Sequence, residues 1–269
     1  MNIDWNDIKT RAKREDVSPS MIMREEIQKA ILTSFSQERL FQNIVLKGGT
    51  ALRLFYENPR FSEDLDFVVR EGRQRVELDR YLNKTTNFIS NSYPYLEDVE
   101  SFPQKKDDDF QRFVVKTSSN ISEQKLRINV KLFAVPSYEN EINILSYPPI
   151  NPAVRVERLV EILADKTVAL SARNYIKGRD LWDIYLLWYQ KGVELSGSLV
   201  EKKVKDYKVE KFISDLKETD DRLAEVGEVI LKNELKRFLS PSLYSNYKEE
   251  FKSIVDIVRK FIKKVMDRI

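Results

Sequence analysis

Asp64 and Asp66 stand one residue apart within an apolar run that continues through Leu65, Phe67, Val68 and Val69. On a strand, side chains alternate between faces, so the two carboxylates project from the same side. Two like charges beside an apolar strand are costly unless a cation lies between them. A divalent metal bridging to nucleotide phosphates meets that need, whereas a pair of solvated acids at a strand end is the plainer alternative. A short way upstream, Gly48-Gly49-Thr50 follows the apolar stretch Ile44-Val45-Leu46. A strand, a Gly-Gly turn and then a helix gather free backbone N–H groups and a positive helix end at one corner, which favours a phosphate. Thr50 is placed to cap that helix or to bond a phosphate oxygen. The segment is not a Walker loop, because Lys47 precedes the glycines.

Composition narrows the chemistry. The 269 residues include no histidine and no cysteine. Imidazole and thiolate metal sites, disulfides and Ser-His or Cys-His catalysis are therefore excluded. A metal must be held by oxygen, which favours Mg²⁺, Mn²⁺ or Ca²⁺, and a general base must be a carboxylate, lysine or tyrosine. The formal net charge of +3 permits contact with nucleic acid without arguing for it. The opening "MNIDWNDIKT" has no basic-then-apolar order, and no stretch is apolar enough to span a bilayer. A cytoplasmic protein without membrane segments is expected.

Several elements must position these residues. Ser18 and Pro19 open a helix whose apolar positions include Ile27, Ile31, Leu32 and Phe35. "NIVLKGG" reads as a short buried strand ending in a turn, "TALRLFYE" as a helix, "NPRFSE" as a loop and "DLDFVV" as a strand. Residues 73–98 read as helical, with Val76, Tyr81, Leu82 and Phe88 toward the core. "FPQKKDDDF" reads as a charged loop, and "FQRFVVKTSS" and "KLRINVKLFAV" as strands. The latter puts Leu126, Ile128, Val130 and Leu132 on one face and Arg127, Asn129 and Lys131 on the other. Pro148, Pro149 and Pro152 suggest a boundary dividing residues 1–147 from a helical domain at 148–269. The final helix carries a stripe of Phe251, Ile254, Val255, Val258, Phe261, Ile262 and Val265. Its basic residues either approach an RNA backbone or form the wet side of a core helix. The expected class is α+β: a small mixed sheet followed by helices.

A second charged set lies in that helical half. Ile162, Lys166, Ala169 and Arg173 share a stripe on a helix expected to begin near Arg155, so the two cations are placed to act together on a phosphate chain. Asp180 and Asp183 share one face of the next helix. Alternatively, Lys166 pairs with Glu161 or Asp165, and Arg179 with an aspartate, as ordinary surface bridges worth about 0–1 kcal/mol.

"KGGTALRL" followed by "RFSEDLDFVV", with Arg60, Ser62 and "DLDF" in order, resembles the AbiEii/AbiGii-type nucleotidyltransferase toxins of the DNA polymerase β-like superfamily. "RLVEILADKTVALSARNYIKGRDLWDIYLL" resembles the second signature of that family, a lysine on one helix and R-D-x-x-D opening the next. The resemblance implies Mg²⁺ (or Mn²⁺) at Asp64 and Asp66, with an NTP as substrate. Nucleotide contacts are expected from Lys47, Gly48, Gly49, Thr50, Arg53, Ser62 and Lys166. Catalytic roles are expected for Asp64, Asp66, Lys166, Asp180 and Asp183. An RNA acceptor such as a tRNA 3′ end and a cognate antitoxin are implied as partners. One departure stands out: the neighbouring strand, where the superfamily places a third acid, offers only Arg127, Asn129 and Lys131. Asn129 is a candidate neutral metal ligand, Lys131 a candidate phosphate partner, and Asp180 or Asp183 a candidate substitute acid. Transfer to a protein or small molecule, and nucleotide binding without turnover, remain open readings.

Overall fold

The computed structural model describes residues 4–118 and 125–269. Two compact units are present: Met1–Glu57 with Phe61–Glu157, and Asn58–Arg60 with Arg158–Ile269. The class is mixed α+β.

The first unit opens with α1 (Trp5–Glu15), capped by Asp4, and α2 (Pro19–Gln37), entered through Ser18 and Pro19. Strand β1 (Ile44–Lys47) runs into α3 (Gly48–Phe55). Next come β2 (Leu65–Arg70), α4 (Leu82–Ser92), β3 (Asp98–Lys106) and β4 (Phe110–Ser118). The unit closes with β5 (Leu126–Ser137), β6 (Asn140–Ile144) and β7 (Ala153–Glu157). The strands form one mixed sheet in the order β3-β4-β5-β2-β1-β7-β6.

Strand β2 lies centrally, antiparallel to β1 and parallel to β5. That place explains its sequence. A central strand is covered on both faces and reads as a continuous apolar run, and Leu65, Phe67, Val68 and Val69 are all buried. Asp66 interrupts the run only at its start, where the strand emerges. Helix α2 packs on β5 and β7 and is covered in turn by α1 and α4. Its Phe35 ring lies 5.5 Å from that of Phe67.

Three expectations for this unit give way. Residues 98–106, taken for part of a helix and a charged loop, form β3. This is an edge strand, whose free side tolerates Pro103 and whose residues are mostly exposed, so no apolar alternation marks it. The helix expected across residues 73–98 shrinks to α4, preceded by a short 3₁₀ turn at Leu78–Tyr81. The prolines precede β7 rather than the helical unit: Val154 and Val156 are buried, and β7 pairs with β1 and β6, so the unit ends at Glu157.

The second unit contains α5 (Leu159–Ser171), α6 (Gly178–Ile184), α7 (Gly197–Asp206), α8 (Phe212–Leu235), α9 (Pro241–Tyr247) and α10 (Phe251–Met266). Helix α5 therefore begins after Arg155, which lies in β7. Helix α6 continues as a π-helical segment, Tyr185–Gln190. All seven stripe residues of α10 are buried, against α8 and α6 among others. Gly178 permits the close crossing of α6 over α8, since a Cβ there would lie 2.9 Å from the Ile230 carbonyl oxygen.

Candidate active site

The Asp64–Asp66 pair and the glycine corner meet within the first unit. Lys47 pairs in register with Asp66 across β1 and β2, which brings the β1–α3 turn to the start of β2. Gly48 has φ +73°, and a Cβ on it would lie 3.8 Å from Asp66 Oδ2. This left-handed conformation favours glycine, and the missing side chain leaves the space in front of the carboxylate open. Gly48 and Gly49 form the first turn of α3, so their backbone N–H groups stand at its positive end.

Strand β5 supplies the opposite wall. Its parallel register sets Lys131 beside Asp66. The Lys131 ammonium lies 2.5 Å from Asp64 Oδ2 and 3.4 Å from Asp66 Oδ1. Burial pushes this lysine down, but attraction to Asp66 and Asp64 prevails and leaves it above its ordinary value. Asn129 donates its side-chain N–H to Asp64 Oδ1 at 2.8 Å, so in this arrangement its amide serves the carboxylate as a donor. Sequence reading placed both β5 residues near the site but not their direct hold on Asp64. That contact depends on strand register, which carries no local signal.

Three residues expected to touch nucleotide make protein contacts in this structure. The Thr50 hydroxyl, 1% exposed, donates to the backbone carbonyl of Asp64 at 2.5 Å, so it fixes the carboxylate-bearing chain. Arg53 pairs with Glu25 at 2.7 Å and Glu15 at 2.8 Å and lies over the Phe61 ring, joining α3 to α1 and α2. The backbone carbonyl of Ser62 accepts from Gln28 at 3.1 Å, tying the approach to β2 onto α2. Lys47 lies with its ammonium 5.9 Å from the centre of the Phe133 ring.

Within the second unit, Lys166 is shared by both acids of α6, at 2.6 Å from Asp180 Oδ1 and 2.6 Å from Asp183 Oδ2. Arg173, beyond the end of α5, also pairs with Asp180. Lysine and arginine thus converge as expected, but on an aspartate. Glu161 and Asp165 instead engage the buried Lys203 of α7, and Arg179 faces Glu234 at 3.4 Å. Asp183 is fully buried and accepts from Asn58, Arg60 and Lys166. It is saturated, so it cannot serve as the substitute acid without losing these partners. Burial pushes both Asp180 and Asp183 up, yet their cations hold both well below the ordinary carboxylate range. The anchoring role of Asn58 was missed, because "NPRFSE" has no periodicity to distinguish it from any other loop.

The acidic pair can be tested against a divalent cation. Carboxylate oxygens suit Mg²⁺ or Mn²⁺. Asp66 Oδ1 is shielded from solvent and takes no hydrogen bond, only the ion pair with Lys131. Among the described residues no group of three or more acidic side chains could hold a metal ion. The pair fits one such cation, provided the Lys131 ammonium withdraws.

Residues 30–257 match the family described as "Nucleotidyl transferase AbiEii toxin, Type IV TA system". The chain belongs to the AbiEii family. This membership supports nucleotidyl transfer, and with it enzyme activity, and implies an NTP substrate and an antitoxin partner. The fold is also similar to that of solved structures. JHP933 from Helicobacter pylori is 20% identical with a TM-score of 0.57, the match covering 92% of this chain and 95% of that one. A further structure, described as a "putative nucleotidyltransferase from H. pylori", is 20% identical with a TM-score of 0.58, covering 93% and 99%. At this identity the likeness is one of fold. No curated protein matches the sequence. No helix among the described residues is long and apolar enough to cross a membrane.

Proposed function

We propose that this AbiEii-family chain transfers a nucleotide from an NTP to a hydroxyl of an RNA, with the 3′ end of a tRNA as the first candidate acceptor. It would act in the cytoplasm and be held in check by its antitoxin. One observation carries the reading: the carboxylate of Asp66 lies against the φ +73° glycine that opens α3. Acidic ligands and phosphate-binding N–H groups therefore share one corner of one unit.

When bound, Mg²⁺ or Mn²⁺ supplies neutralising charge to the phosphates. The remaining work falls to the chain. Asp64 and Asp66 would hold the cation through carboxylate oxygens. The N–H groups of Gly48 and Gly49 receive phosphate oxygens. Thr50 and Asn129 fix Asp64 at its carbonyl and at Oδ1. The acceptor oxygen forms a bond to the α-phosphorus, the bond to the β-phosphate oxygen breaks, pyrophosphate leaves, and the hydroxyl proton passes to water. Orientation and electrostatics carry such a transfer. Lys166, Asp180 and Asp183 enter as a second charged set within their own unit, and their contribution is measured by substitution.

The test incubates the protein with Mg²⁺, each labelled NTP, and total tRNA or protein extract. Label on tRNA, lost in Asp64→Ala and Asp66→Ala, is the expected result. Label on protein or a small molecule would move the acceptor, and NTP binding without any transfer would overturn the reading.

A further inference from the structure

Both carboxylates of the pair already have a cation. Lys131 contacts Asp64 and Asp66 together, and its place follows from the β2–β5 register rather than from a flexible surface. Its side chain is only 20% exposed. The polar face of β5 carries Arg127, Asn129 and Lys131, hence two cations and no acid. Against the two carboxylates, one ammonium leaves the protein's share of the site at a single net negative charge. A second divalent ion would lack a further carboxylate, since among the described residues no group of three acids is placed to hold a metal ion. Any metal must also compete with Lys131 for Asp64 Oδ2.

We propose that Lys131 is a built-in counter-cation: it occupies the carboxylate pair until metal and nucleotide arrive together, then passes to the nucleotide's phosphates, so that the site takes one protein-bound metal ion and takes it firmly only with nucleotide. The proposal rests on the reading of Asp64 and Asp66 as metal ligands. Its physical content is exchange. The ammonium neutralises two repelling carboxylates in the resting site, and each charge it gives up there is replaced by the metal. The triphosphate then offers the displaced ammonium new partners. Lys131 is a substrate-contacting group in the loaded state and a competitor in the empty one.

Mn²⁺ binding, followed by electron paramagnetic resonance on the full chain, separates the possibilities. The expected result is weak binding by the wild type alone, and strengthening of at least tenfold with an α,β-methylene NTP analogue, at one protein-bound Mn²⁺ per chain. Lys131→Met should bind Mn²⁺ at least tenfold more tightly without the analogue and lose most of the coupling between the two ligands. Lys131→Gln serves as the second variant should the methionine chain fail to fold, as judged by circular dichroism. Unchanged Mn²⁺ affinity in the folded variant, or two protein-bound Mn²⁺ ions in the wild type, overturns the proposal. If Asp64→Asn and Asp66→Asn leave Mn²⁺ binding intact, the fault lies in the metal-ligand reading; if they abolish it while Lys131→Met changes nothing, only the role of Lys131 fails.

Discussion

Arg60 and Asp183 form a buried ion pair, with guanidinium and carboxylate 2.5 Å apart and side chains 1% and 0% exposed. Arg60 donates through Nε and Nη2 to the two carboxylate oxygens, and Asn58 adds a bond to Oδ1 at 2.9 Å. Trp182 donates to Asn58 in turn at 3.1 Å. The tripeptide containing Asn58 and Arg60 immediately precedes the segment that leads into Asp64, yet it folds with the second unit. Removing Arg60 strips the buried Asp183 of its guanidinium and leaves the charge to Lys166, 2.6 Å away, so the loss is expected below the about 3–5 kcal/mol of a fully orphaned buried charge. Arg60→Met is therefore expected to lower the denaturation midpoint substantially without nucleotide present. Unchanged stability in urea unfolding would show that the pair does not anchor the loop.

Thr50 tests how precisely Asp64 must be held. Its buried hydroxyl donates to the Asp64 carbonyl, and Thr50→Val removes that bond at a cost of about 0.5–1.5 kcal/mol. The expected kinetic signature is a fall in kcat with little change in KM for the NTP, because the hydroxyl positions a ligand rather than touching substrate. Thr50→Ser, which keeps the donor, should restore most of the rate. A raised KM with normal kcat would return Thr50 to direct phosphate binding.

These two residues also show what could be read in advance and what could not. The Gly-Gly corner, the strand holding Asp64 and Asp66, helix α2 and the apolar stripe of α10 are written in local periodicity and turn residues, and the structure contains each. Helix α1 escaped notice because only Ile8 and Ala12 are buried along it, too few for a visible stripe. Strands β6 and β7 were hidden by the prolines between them, which suggested a break in the fold but mark only a loop. Partners set by register or by a loop returning from far along the chain, such as Lys131 with Asp66 or Arg60 with Asp183, leave no trace in spacing. Residue type carried no hint of the partners of Arg53 in this structure, acids of α1 and α2 far along the chain.

That network predicts an acid-dependent stability. Burial pushes the Glu25 carboxyl up, but Arg53, Arg11 and Lys29 draw it down to about 2 from the ordinary 4.5. A depressed carboxyl stabilises the fold fully above its unfolded value. The contribution then falls away as pH drops from about 4.5 toward about 2. Its size at neutral pH is about 3 kcal/mol. Urea unfolding of wild type and Glu25→Gln across pH 2 to 7 should give curves that converge on the acid side and separate toward neutrality. A constant gap over that range would remove Glu25 from the account of acid unfolding.

Gly48 offers the sharpest test of the corner because the chain supplies its own control. Gly48 and Gly72 have nearly equal left-handed φ values, +73° and +71°. A Cβ at Gly72 meets nothing within 4 Å, whereas one at Gly48 faces Asp66 Oδ2 at 3.8 Å. Alanine at either position carries the same backbone cost, about 1–2 kcal/mol, so both variants should lose similar stability. Only Gly48→Ala puts a methyl group into the space before the carboxylate. It should weaken binding of a Mg²⁺–NTP analogue about tenfold, or about 1.4 kcal/mol, while Gly72→Ala binds as the wild type does. Calorimetric titration of both variants with the same analogue decides the matter: equal affinities would mean that the nucleotide does not sit at the glycine corner.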